Sequence, residues 1–251
     1  MAAVVAMPLP HGSEPATWRP GIAEVSAMQE ADLILLHGGT LYGWTERVSL
    51  PRARVSDTVS DFDDALIEVE GVTHAHGPEG EHTHAATATK SWLDFELASA
   101  QAGAVAEAII RLRPDEAAEI GTRLDALQAE LAALDAEAER VGAALAGEPI
   151  LAYHAGYEYF ARRYDLDVEA LDWDREVPPD AEGIAQLDEV HARHPARRML
   201  FETPPGEAAS AAIEARGITP VIFETGAAMP PAAVLGAFAA GIEALAAAAE
   251  R

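Results

Sequence analysis

Between Asp115 and Leu145 no proline interrupts the chain, and Leu124, Leu127, Leu131, Leu134, Val141 and Leu145 recur at helical spacings, with Ala138 filling the gap. Apolar residues three and four apart fall on one face of an α-helix, so the stretch predicts one amphipathic helix with a core-facing seam. At 1.5 Å per residue a helix of about 30 residues spans roughly 45 Å, long enough to run the length of two lobes. Pro114 precedes it, and Gly147 and Pro149 close it. The fold has to be organised around this element.

On its N-terminal side, Ala2–Met7 is a continuous apolar run closed by Pro8 and Pro10, which predicts a buried strand. A short helix is expected over Gly21–Ala31, a second strand over Asp32–His37, a short helix over Leu41–Val48 and a third strand over Arg54–Thr58. A longer helix is expected over Asp94–Arg113. On its C-terminal side the pattern predicts strands at Ile150–Tyr153, from Leu171, at Arg198–Phe201 and at Val221–Phe223. These alternate with helices at Ala155–Tyr164, Glu182–Ala192, Glu207–Ala215 and Ala232–Glu250. Continuous apolar strands alternating with helices imply parallel sheets covered on both faces. The expected fold class is therefore α/β, with two α/β lobes joined by a long backbone helix: residues 1–113, 114–147 and 148–251. Ligands in such folds sit outside the carboxyl ends of the strands, here in the expected cleft between lobes.

The formal net charge is −25, from 42 acidic and 17 basic residues, and no basic patch offsets it, which speaks against nucleic acid as a partner. Such an acidic surface attracts cations. Cysteine is absent, so any metal site must be built from nitrogen and oxygen donors. The N-terminus, M-A-A-V-V-A-M-P-L-P-H, has no charged n-region and too short an apolar run for a signal peptide. No stretch is expected to reach the length of a transmembrane helix. H-E-x-x-H, G-x-S-x-G and P-loop patterns are missing, which argues against an enzyme.

Residues 72–90 read V-T-H-A-H-G-P-E-G-E-H-T-H-A-A-T-A-T-K. His74 and His76 form one H-x-H pair, and His82 and His84 another. Neutral imidazole is the commonest biological metal ligand and suits zinc. Alternate residues of an extended backbone face the same way, so one ion can meet both rings of a pair. Gly77, Pro78 and Gly80 deny the segment a helix, and a mobile loop is expected. The plain alternative is a solvated segment that binds metal weakly.

Four segments carry a family resemblance. Tyr153-His154-Ala-Gly-Tyr-Glu-Tyr-Phe160-Ala-Arg-Arg163-Tyr164 resembles the strand-end histidine segment of the zinc and manganese ABC-transporter solute-binding proteins. Gly12–Pro20 (G-S-E-P-A-T-W-R-P), Ser91–Asp94 (S-W-L-D) and Val221–Thr225 (V-I-F-E-T) match it in order and spacing. The resemblance implies a monomeric receptor, periplasmic or at the cell surface, that captures zinc (or, second, manganese) and delivers it to an ABC permease with no chemical step. That family typically binds its ion with three histidines and one acidic residue. His154 stands on the third histidine and Glu224 on the acidic position, whereas the first histidine is here Ala16 and the second is Lys90. The resemblance thus implies that the loop supplies what is missing. His82 and His84 would join His154 and Glu224 in an N3O site, with His74 and His76 as the loop's other pair. The alternative is a degenerate interaction or adhesion module of the same fold, with only weak metal binding by the loop. The chain also opens at what resembles the family's second strand, so a first β-α unit is apparently missing. Taken alone, Glu224 is an ordinary strand-end carboxylate, and His191 and His194 are expected to face solvent.

Overall fold

The computed structural model describes residues 4–9, 18–38, 43–69, 74–75, 81–82, 86–173, 177, 179–227 and 229–250. The chain divides into two compact units, Met1–Thr89 with Leu97–Ala129, and Lys90–Glu96 with Glu130–Arg251.

In the first unit, α1 (Ile22–Glu30) leads into β1 (Ile34–Leu36), which pairs in parallel with β2 (Val55–Asp57). The apolar run Ile34–Leu36 buries Ile34, and Val59 and Trp44 are buried in the same unit. Arg54 closes the end of α1, its Nη1 donating to the carbonyls of Gln29 (3.3 Å) and Ala31 (3.2 Å), which have no partner within a helix. The expected helix at Leu41–Val48 is a 3-10 segment, Gly43–Arg47.

One expectation fails here. Val4–Met7 forms no strand: Val4 and Val5 are each 94% exposed and Met7 is 74% exposed. An apolar run becomes a strand only where a neighbouring strand offers a ladder. The strand β1 pairs with β2, and neither pairs with Val4–Met7.

Within the histidine-rich segment, β3 (Glu68–Val69) pairs antiparallel with β6 (Ala86–Thr87). Between them β4 (His74–Ala75) pairs antiparallel with β5 (Glu81–His82). The expected loop thus holds a short antiparallel ladder, with His74 opposite His82 and Ala75 opposite Glu81. The helix α2 (Phe95–Leu112) follows, ending before Pro114 as its composition predicts, and α3 (Ala117–Ala144) is the long element. Its seam is real: Leu131, Ala138 and Val141 are buried, as is Leu145 just beyond its end, and Leu124, Leu127 and Leu134 are half-buried.

The second unit holds a four-stranded parallel sheet. Its strands are β7 (Pro149–Ala152), β8 (Asp167–Ala170), β9 (Arg198–Phe201) and β10 (Thr219–Ile222), in the order β10-β9-β7-β8. The helices α4 (Glu158–Arg163), α5 (Ala181–Arg193), α6 (Glu207–Glu214) and α7 (Val234–Ala249) alternate with them. Leu151, Met199 and Phe201 join Leu187 and Val190 of α5 and Ala209 and Ile213 of α6 in one core cluster. Their neighbours Ile150, Ala152 and Leu200 are also buried, so both faces are covered, as in a crossover-built parallel sheet. The strand expected to begin at Leu171 ends just before it. Leu171 is buried, and its N–H donates to the Ala152 carbonyl at 2.8 Å. Asp167 and Glu169 put charge on this edge strand, masking its apolar signal.

Two further corrections concern helices. Pro231–Ala249, 19 residues long, contains an 18-residue window with a mean hydropathy of 1.8, enough by length and composition to cross a membrane, contrary to the expectation that no stretch would be. Its hydropathy comes largely from alanine, and Phe238, Gly241, Ile242, Leu245 and Ala248 are buried where α7 packs on β10. His194 does not face solvent. It is 9% exposed, with Nε2 3.0 Å from the Ile150 carbonyl, because the chain turns at the end of α5 beneath the start of β7. His191 is half-buried, with Nε2 3.1 Å from the Ala196 carbonyl.

A polar hub ties α3 to α4. Arg163 donates to both oxygens of Asp135 (Nε at 3.1 Å, Nη2 at 2.8 Å), and the Tyr164 hydroxyl donates to Asp135 at 2.8 Å. Burial works against the Asp135 charge. The hydrogen bonds from Arg163 and Tyr164 and the Arg163 charge outweigh it and hold the carboxyl below the usual carboxylate range. A depressed pKa stabilises the fold fully above the ordinary carboxylate range, and that contribution is lost as pH falls through the folded value. Asp135→Asn should therefore lose about 2 kcal/mol at neutral pH. Its stability should also fall less steeply than wild type below about pH 4. Urea melts across pH check both; parallel pH profiles would show that Asp135 carries no such linkage.

Candidate metal centre

The carboxyl ends of β7, β9 and β10 converge in the second unit, and three inter-strand bonds extend the sheet beyond its regular ladder. Tyr153 N–H donates to the Leu200 carbonyl (3.0 Å), Trp173 N–H to that of Tyr153 (2.9 Å) and Phe223 N–H to that of Phe201 (2.7 Å). The segment Lys90–Glu96 belongs to this unit and is pinned over the strand ends. Ser91 and Leu93 are fully buried, and the Trp92 indole N–H donates to the Thr225 carbonyl at 2.8 Å. The Tyr157 hydroxyl donates to the Phe223 carbonyl at 2.8 Å, fixing the segment after β7 to β10.

His154 is half-buried at the end of β7, its ring centroid 3.9 Å from that of Tyr153. Its Nδ1 lies against the Ala155 carbonyl oxygen. A carbonyl only accepts, so a neutral ring that hydrogen-bonds this oxygen would donate from Nδ1 and keep on Nε2 the lone pair that a metal ligand requires.

Around the same strand ends lies a cluster that sequence reasoning missed. The Lys90 ammonium makes an ion pair with Oε1 of Glu202, a residue that is only 4% exposed. Thr225 Oγ1 donates to the same oxygen at 2.6 Å, and the Tyr153 hydroxyl lies 3.4 Å from Oε2. Glu224 is half-buried and makes none of these bonds; it is the adjacent Thr225, 1% exposed, that turns toward Glu202. A signal for this was available. Phe-Glu-Thr occurs twice, at Phe201–Thr203 and Phe223–Thr225, each time where a strand ends. In the first copy the glutamate is buried and the threonine exposed; in the second the threonine is buried.

The other candidate ligands are placed as follows. His74 and His82 are cross-strand partners of the β4–β5 ladder. His76 and His84 lie outside the described residues, as does Ala16. Among the described residues, no group of three or more His, Asp or Glu comes together as a metal cluster. His154 and Glu224 thus follow β7 and β10, which flank β9 on either side, with Lys90 and Glu202 paired in the same unit.

Comparison with known proteins agrees with this architecture. The profile of the family described as zinc-uptake complex component A, periplasmic, matches residues 2–246. No curated protein sequence matches the chain significantly. Among solved structures, the metal-dependent lipoprotein YcdH from Bacillus subtilis is 17% identical with a TM-score of 0.77, over 96% of this chain and 89% of its own. The periplasmic zinc-binding protein TroA from Treponema pallidum is 22% identical with a TM-score of 0.68, over 97% and 90%. FpvC from Pseudomonas aeruginosa, solved in complex with Mn2+, is 15% identical with a TM-score of 0.71, over 97% and 89%.

Proposed function

The chain belongs to the periplasmic zinc-uptake component A family of metal-binding ABC-transporter solute receptors, and from that premise we propose that its cargo is zinc, handed as a free ion to an ABC permease. Proteins of this kind work in the periplasm or at the cell surface by binding and release, without catalysis. The observation that carries the zinc assignment is the His154 ring, half-buried just past the end of β7, in the segment that resembles the strand-end histidine of the family. Several features support it. The chain has nine histidines and no cysteine, so imidazole nitrogen takes the place that thiolate holds in many zinc sites. Nitrogen-rich ligation favours zinc over manganese. The −25 net charge raises the local concentration of any divalent cation. In this reading His82 and His84 approach His154 and Glu224 to complete a tetrahedral N3O site, with His74 and His76 as an entry pair. The receptor acts as a monomer.

Competition between the metal-stripped protein and a chromophoric zinc chelator tests the assignment. One tight site is expected. His154→Ala should weaken it by about a hundredfold, roughly the share of one ligand in a zinc site. His191→Ala, whose ring bonds the Ala196 carbonyl, should leave it unchanged within about twofold. Equal effects of the two substitutions would remove His154 from the site.

A further inference from the structure

The strand-end cluster of the second unit already contains a cation, and that cation is part of the chain. Lys90 is the only lysine present. Its side chain is 13% exposed and that of Glu202 is 5% exposed, so the pair is largely withdrawn from water. A carboxylate buried this far needs a countercharge, or it takes up a proton or a cation. Lys90 meets that need through Oε1, which also accepts from Thr225. The backbone is shaped around the lysine. Gly156 has φ +138°, and a Cβ there would stand 2.7 Å from Lys90 Nζ and 3.2 Å from its Cε. Only glycine allows both that conformation and that approach.

Without the ammonium, the cluster offers a carboxylate, a threonine hydroxyl and a tyrosine hydroxyl, with His154 next to Tyr153 in the chain. Hard oxygen donors of this kind suit manganese better than zinc. We propose that Lys90 is an internal cation that occupies the Glu202–Thr225 cluster, keeps divalent ions out of its oxygens, and thereby sets both the affinity and the metal preference of the chain. The proposal rests on the metal-receptor assignment. It extends that assignment by naming a residue that acts against binding, where the metal ligands act for it.

The test is calorimetric titration of the full-length, metal-stripped chain with Mn2+ and with Zn2+. Lys90→Met and Lys90→Gln remove the charge while keeping most of the side chain's bulk. Either variant, shown to be folded by circular dichroism, should bind Mn2+ at least about tenfold more tightly than wild type, because the unpaired carboxylate recruits the ion. Adding Glu202→Gln should abolish that gain. An unchanged Mn2+ affinity in a folded Lys90 variant, or a gain that survives Glu202→Gln, overturns the proposal. Should neither variant fold, amine-specific labelling of the wild-type chain, read at the peptide holding its single lysine, gives the answer. Lys90 should react equally slowly with and without Mn2+, whereas acceleration by Mn2+ would mean that the ion displaces it from an open site, and would overturn the proposal. A wild-type chain with no tight zinc site refutes the zinc assignment alone, since the Mn2+ gain in the Lys90 variants is read independently.

Discussion

Replacing His82 and His84 together with alanine should weaken zinc binding by about ten-thousandfold, leaving only loose association with the rest of the chain. The size follows from ligand arithmetic. A tetrahedral structural zinc site in a peptide is worth roughly 10–16 kcal/mol, so each of four ligands carries about 3 kcal/mol, and two carry about 6. At about 1.4 kcal/mol per decade, that is four decades or slightly more. The scaffold cannot make up the loss. Lys90 is engaged with Glu202, Ala16 has no donor atom, and no group of three His, Asp or Glu ligands forms among the described residues. His74→Ala with His76→Ala is the matched control, since it removes the same number of imidazoles from the same segment. It should slow zinc uptake into the site and change the equilibrium affinity by less than about tenfold. The measurement is again chelator competition, read for each pair against wild type. Comparable losses in both pairs would mean that the segment binds zinc as a diffuse histidine tract, and that His154 does not share an ion with it.

How much of this could be read from the residues differs from element to element. The seam of α3 was legible because leucines at spacings of three and four form a stripe only when the backbone is helical, and Leu131, Ala138 and Val141 are indeed buried. The strands β7 and β9 were legible because both faces are covered and their sequences are apolar apart from Arg198 at the start of β9. The failures share one cause: the outcome depends on a partner the local sequence does not name. Val4–Met7 is as apolar as β7 but pairs with neither β1 nor β2, and its residues are exposed. His194 sits at a polar helix end, where a solvent-facing side chain is the sensible expectation, until the start of β7 passes over it. The same holds at the site. The position of His154 just past a strand end was legible from its motif, and Lys90 as the residue standing where a ligand was expected. Its pairing with Glu202 was not, because 112 positions separate the two and the chain offers 42 carboxylates. The repeated Phe-Glu-Thr marks both strand ends but does not say which of its polar residues turns inward. That depends on how each chain leaves its strand, and a shift of one residue exchanges the two sides.

Gly142→Ala should destabilise the protein by about 1–2 kcal/mol, although the substitution raises the helix propensity of α3. Two effects oppose each other at this position. In an exposed helix interior, alanine is better than glycine by roughly 0.8–1 kcal/mol, because glycine loses more backbone freedom on folding. Gly142, however, is buried against the segment that follows α4. A Cβ there would collide with the carbonyl oxygen of Tyr164 and stand 3.1 Å from the Tyr164 Cβ. The obstacle is main chain, so no rotamer change relieves it. Tyr164 is held by the Phe160 carbonyl, to which its N–H donates at 3.1 Å, and by Asp135 through its hydroxyl. Moving it would disturb the hub that joins α4 to α3, so overpacking outweighs propensity. Gly121 supplies the control within the same helix. Nothing lies within 4 Å of the position its Cβ would take, so Gly121→Ala should stabilise by about 0.5–1 kcal/mol. Chemical denaturation of the two variants reads the contrast directly. Opposite signs are expected, whereas a gain in both would mean that Tyr164 gives way freely and that the close approach of its backbone to α3 contributes little to the stability of the second unit.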